Sequence, residues 1–238
     1  MTTPDIFCLA LIAVLLLLDY FVLWPTFLRQ SHGNPTRARL WLWSSTMIML
    51  WALVAAIVLL WLFEARSWGA LRLVMPHGWR LWGSVGLVLV LAISYARIVV
   101  RLAWRSRSRR IKINNPQLVL LAPHTPSELA WWAAVSLSAG FCEELIFRGY
   151  LIWVFQPTFG LWGAAIFSLF VFAAAHAYQG AKNALVAGLI GGVLTLVVLI
   201  SGSLWPAIAL HALVDFGQNL IGWLAIRRVQ DERSTVLA

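Results

Sequence analysis

The stretch SAGFCEELIFRGY, Ser138 to Tyr150, sets two adjacent glutamates and an arginine inside an apolar run. A charge at the centre of a bilayer costs about 2.5–3.5 kcal/mol even on the permissive insertion scale. Ionisable residues at that depth are therefore functional candidates by default. Glu144 and Arg148 are spaced i, i+4, in the order that favours an ion pair on one helix face. At about 100° per residue, Arg148 lies about 40° around the helix from Glu144 and about 140° from Glu143. Glu144 is thus neutralised locally, and Glu143 points elsewhere with no partner in its own helix.

The surroundings of this stretch fix the class. Of the 238 residues 61% are hydrophobic and 11% charged, against about 25% charged in a soluble domain. This is the composition of an integral membrane protein. The net charge of +9 falls mostly in loops, where it reads as membrane topology and not as a nucleic-acid surface. Cys8 and Cys142 lie far apart in apolar segments, so no disulfide framework is implied. The N-terminus lacks a basic leader, and its apolar run from Ile6, interrupted by Asp19, reads as a retained helix and not a cleaved signal.

A bilayer takes about 20 apolar residues per helix. That predicts an all-α, polytopic protein of about seven transmembrane helices: Ile6–Trp24, Trp41–Phe63, Leu81–Val100, Glu128–Phe155, Leu161–Tyr178, Asn183–Ile200 and Leu204–Ala225. Tryptophans near the span ends, among them Trp24, Trp43, Trp61, Trp79, Trp82 and Trp162, suit an aromatic belt at the two interfaces. With seven spans, 13 of the 18 Lys and Arg fall on the side of the C-terminus and 3 on the other. The C-terminus is therefore expected in the cytoplasm, with the protein in the cell inner membrane.

The third loop, Arg101 to Pro126, divides the chain. Residues 1–126 are expected to form accessory helices and a basic cytoplasmic loop. Residues 127–226 are expected to form a four-helix functional core, and 227–238 a cytoplasmic tail. The basic run RLAWRSRSRR reads as positive-inside anchoring, with anionic-lipid binding as the functional alternative.

Three more polar features lie in the core. His176 ends FAAAH, His211 and Asp215 bracket HALVD, and small residues crowd AGLIGG and SGS. His211 and Asp215 read as a ring held by a carboxylate one turn away. A glutamate, two histidines and an aspartate on three apolar helices form a convergent set. Such a set can position and deprotonate a water within the membrane, with Glu143 as base and a second polar pair facing the oxyanion.

EELIFRG (Glu143–Gly149), FAAAH (Phe172–His176) and GSLWPAIALHALVD (Gly202–Asp215) follow one another with gaps of 33 and 35 residues between Glu143, His176 and His211. Their forms, E-E-x-x-x-R, F-x-x-x-H and H-x-x-x-N/D, together resemble the CPBP family of CAAX-prenyl-endopeptidase-type and bacteriocin-processing membrane proteins. The resemblance spans about Ser127 to Trp223. It implies a glutamate-type intramembrane endopeptidase with no cofactor and no metal, acting on a membrane-associated protein or peptide. Position by position, Glu143 and His176 would activate the water, Arg148 would pair with Glu144, and His211 with Asp215 would form the oxyanion site. Asp215 stands where an amide would donate a hydrogen bond. It is expected to orient His211, with Asn219 as a substitute donor.

Competing readings are a zinc protease with Glu143, His176 and His211 as ligands, a non-catalytic immunity or partner-binding protein on the same scaffold, and a proton relay or transporter. No H-E-x-x-H pattern supports zinc. Straight helices would keep Glu143, His176 and His211 at different depths. A break is therefore expected, with Gly140 and Gly149 as its predicted places.

Overall fold

A computed structural model describes residues 2–104 and 116–236, with side chains described for 2–101 and 119–227. The basic run from Arg105 to Lys112 lies outside the described residues, as do the side chains of the tail beyond Arg227. Described residues in regular structure are helical, and none is in a strand. The helices are α1 (Thr3–Ser31), α2 (Pro35–Phe63), α3 (Trp79–Trp104), α4 (Pro116–Leu121), α5 (Pro126–Glu143), α6 (Ile152–Ala175), α7 (Ala181–Ser201) and α8 (Trp205–Val236). Two π-helical turns interrupt them, Asp19–Leu23 inside α1 and Glu144–Leu151 between α5 and α6.

Each of the seven predicted spans falls on helix. Among the described residues, five stretches are long and apolar enough to cross a membrane. One of them, Pro126–Ala175, runs for 50 residues, about 75 Å at 1.5 Å per residue and more than twice the hydrocarbon thickness. Gly160 divides it into two crossings with φ 68° and ψ 172°, a conformation essentially reserved to glycine. α8 is not among the five; its membrane part carries His211, Asp215, Gln218 and Asn219, which lower its apolar character. The protein is thus a multi-pass, all-helical membrane protein.

Gly160 lies in the expected connection between the fourth and fifth spans, whereas the departure from α-helix beside the glutamates is the π turn Glu144–Leu151, which contains Gly149. Gly140 and Gly149 also serve close approach. A Cβ on Gly140 would stand 3.0 Å from Ala212 and from the carbonyl of Ile208, so this glycine lets α5 lie directly on α8, its most extensive neighbour. Small residues at helix contacts allow such approach in a membrane. A Cβ on Gly149 would lie 3.3 Å from Leu204.

A buried ion pair ties α2 to α5, and a second pair, extended by a hydrogen bond from Tyr150, ties α1 to the loop after α2 and to the π turn Glu144–Leu151. Arg39 on α2 donates to Glu128 Oε1 at 2.8 Å, with both side chains almost wholly buried. Glu128 also closes a capping box with Thr125 at the start of α5. At the other end, Arg66 donates to both carboxylate oxygens of Asp5, at 2.7 and 3.1 Å, and lies over the rings of Trp61 and Trp153. Tyr150 donates its hydroxyl to Asp5 Oδ1 at 3.2 Å. Leu204 N–H donates to Arg72 C=O at 2.9 Å, which sets the loops before α3 and α8 at the same end. Trp24, Trp43 and Trp61 are buried between helices, whereas Trp79, Trp82 and Trp162 stay exposed.

Candidate functional site

The two adjacent glutamates part where α5 gives way to the π turn. Backbone hydrogen bonds to the fifth residue widen the turn, and such turns occur often at functional sites. Glu144 turns inward and is fully buried. Arg148 Nη1 donates to its Oε1 at 2.9 Å. The other guanidinium donors go to Gly191 C=O at 3.0 Å and Thr195 Oγ1 at 3.3 Å, both on α7. The guanidinium carbon also sits 4.1 Å above the Phe172 ring. Gly191 makes this possible, since a Cβ there would be 2.7 Å from Arg148 Nη2. The small patch AGLIGG thus houses an arginine.

His211 comes from α8 to the same carboxylate. Its Nδ1 lies 2.8 Å from Glu144 Oε1. An ionised carboxylate only accepts, so Nδ1 donates and Nε2 faces the other way. Nε2 is 3.6 Å from Asp215 Oδ2 and 3.8 Å from Glu143 Oε2, both beyond hydrogen-bond length. The ring is therefore oriented by Glu144, 67 residues away in the chain, and not by Asp215 one turn along. The reason is geometric: the Glu144 carboxylate is fixed by Arg148, whereas Asp215 is a third exposed. Asn219 gives one N–H of its amide to the backbone carbonyl of Asp215 at 3.2 Å.

Glu143 and His176 open onto one cleft of about 100 Å³. Glu143 Oε2 is buried and has no hydrogen-bond partner among the described residues. His176 caps the end of α6. Its Nδ1 lies 2.8 Å from Phe172 C=O; a carbonyl only accepts, so Nδ1 donates and a neutral ring keeps its lone pair on Nε2. The Phe172 ring packs against both histidines, its centroid 4.7 Å from that of His176 and 6.2 Å from that of His211. Asp215 is within electrostatic reach of His211, Glu143, His176 and Glu144. The structure thus gathers Glu143, Glu144, Arg148, His176, His211 and Asp215 in one place.

Sequence reasoning missed two members of the cleft. Asp19 from α1 and Tyr178 line it together with Glu143 and His176. The available signal for Asp19 was its interruption of an apolar run. For Tyr178 none existed beyond its closeness to His176. Cys142 is fully buried in the core and offers no thiol to the cleft. Among the described residues, no group of three or more His, Cys, Asp or Glu side chains could hold a metal ion.

This arrangement can hold a polarised water between a carboxylate and an imidazole, with a second imidazole one carboxylate away. Comparison with protein families matches residues 125–217 to the Rce1-like model, described as Type II CAAX prenyl endopeptidase Rce1-like. The matched segment contains all six site residues predicted from the sequence. Comparison with curated proteins and with solved structures gives no match.

Proposed function

From a segment that matches a family of membrane endopeptidases, we propose that this chain is an intramembrane endopeptidase of the glutamate type. Its substrate is a membrane-associated protein or peptide, and its C-terminus faces the cytoplasm of a cell whose inner membrane holds it. The observation that carries the reading is the shared cleft. Glu143 and His176 line the same space, while His211 Nε2 stands 3.8 Å from the buried, unpaired oxygen of Glu143.

In this reading a water sits between Glu143 and His176. Glu143 takes its proton as the oxygen attacks the scissile carbonyl carbon, and His176 holds the second hydrogen direction. His211 in its doubly protonated form donates through Nε2 to the oxyanion and through Nδ1 to Glu144, with the Asp215 carboxylate 3.6 Å from Nε2. Donors fixed in a water-poor site are worth several kcal/mol to such an intermediate. Collapse breaks the C–N bond, and the proton carried by Glu143 passes to the leaving amine. Arg148 and Glu144 touch neither water nor substrate. They position His211.

The test is comparative peptidomics of membranes bearing the wild-type protein or Glu143→Gln, followed by assay of the purified pair on the peptides that differ. Glutamine fills the same volume but takes no proton. The expected result is loss of the cleavage products with unchanged thermal unfolding. Turnover by Glu143→Gln at the wild-type rate would overturn the assignment.

A further inference from the structure

α1 brings to the cleft a carboxylate that the reaction above does not use. Asp19 opens the π turn Asp19–Leu23 and lines the cleft with Glu143 and His176. It interacts electrostatically with both but makes no hydrogen bond and no ion pair among the described residues. Its situation differs from that of Asp5, Glu128 and Glu144, each matched to an arginine. No lysine or arginine is among the described residues that line the cleft. The rest of the wall near Asp19 is aliphatic, with Ile12, Leu15 and Leu16 from α1 and Leu50 and Leu53 from α2.

An unmatched carboxylate at membrane depth is costly and marks the path of something that compensates it. The compensating group is a cation, and the aliphatic wall says what accompanies it. Lysine or arginine beside an apolar run is the commonest charged feature of membrane proteins at the cytoplasmic face. We propose that Asp19 is a specificity-determining residue: it receives a Lys or Arg side chain of the substrate next to the scissile bond, while the α1 wall takes the adjoining apolar residues. This rests on the peptidase reading and names its substrate class. It also gives the N-terminal helices a task, since α1 then supplies one side of the recognition surface.

The experiment uses the full chain in liposomes. Its probes are apolar transmembrane peptides that differ at one juxtamembrane position, Lys, Gln or Glu. Cleavage by the wild type is expected to favour Lys over Gln by about tenfold or more, the effect of a charge-assisted hydrogen bond in a water-poor site. Asp19→Asn should flatten that preference while still cleaving the Gln peptide, and Asp19→Lys should turn it toward Glu. A wild type without charge preference overturns the proposal. So does Asp19→Asn slowing all three peptides equally, which would give Asp19 a part in the chemistry or the packing. Binding of the same peptides to Glu143→Gln, with and without Asp19→Asn, separates the two readings. Lys-selective binding that needs Asp19, without cleavage by the wild type, would refute the peptidase alone. Charge-blind binding would refute the role of Asp19 alone.

Discussion

Replacing Arg148 with methionine removes a guanidinium and keeps most of the side-chain volume, so the loss measured is mainly electrostatic. In the structure that guanidinium is 1% exposed and satisfies Glu144, the carbonyl of Gly191 and the hydroxyl of Thr195. Two of these survive its loss. Thr195 Oγ1 already donates to Gly191 C=O at 2.8 Å, so neither is orphaned. Glu144 is. It is fully buried, its Oε2 has no hydrogen-bond partner among the described residues, and His211 alone remains at Oε1. Breaking a buried pair by removing one partner costs about 3–5 kcal/mol, because the remaining charge is uncompensated. With His211 still donating, the lower half of that range is expected. The assay is unfolding by denaturant in detergent micelles for wild type, Arg148→Met, Glu144→Gln and the double variant. The double variant removes the stranded charge and should recover at least about 1 kcal/mol over Arg148→Met, a coupling of ordinary size for residues in contact. A double variant no more stable than Arg148→Met would refute the pairing as the source of the loss.

Three further outcomes follow from other contacts. Gly191→Ala places a Cβ 2.7 Å from Arg148 Nη2 and 2.8 Å from Phe172; it should destabilise by about 1–3 kcal/mol through overpacking, read by the same unfolding assay. Arg66→Ala strips the fully buried Asp5 of its cation and should cost about 1.5–3 kcal/mol, the worth of a hydrogen bond to a charged group; neutralising the partner as Asp5→Asn in the same chain should restore part of it. Because Glu144 and not Asp215 orients His211, Glu144→Ala should lower peptide cleavage far more than Asp215→Asn; comparable losses in kcat would return the orienting role to Asp215.

What could be read from the residues alone was whatever the local chain encodes. Apolar length set the spans, because a helix in lipid satisfies its own backbone. The Glu144–Arg148 pair was legible for the same reason: four residues make one turn, and the turn brings them together wherever the helix goes. The three motifs, in their order, indicated the endopeptidase-like segment that the family comparison matches.

Contacts between helices were not legible, since they depend on which faces meet. His211 could be seen to need a carboxylate, but Asp215 was nearer in the chain and Glu144 nearer in space. Asp5 and Arg66 looked like a terminal acid and a loop base until the packing of α1 on the π turn buried one and aimed the other. That the chain turns between Phe155 and Leu161 was legible from the gap between two apolar runs; that a single residue, Gly160, makes the turn with helix on both sides was not. Asp19 is the plainest case. Its cost in lipid was visible from the sequence, but its place opposite Glu143 and His176 was decided by tertiary structure, because a charge announces that it needs a reason and only its neighbours supply one.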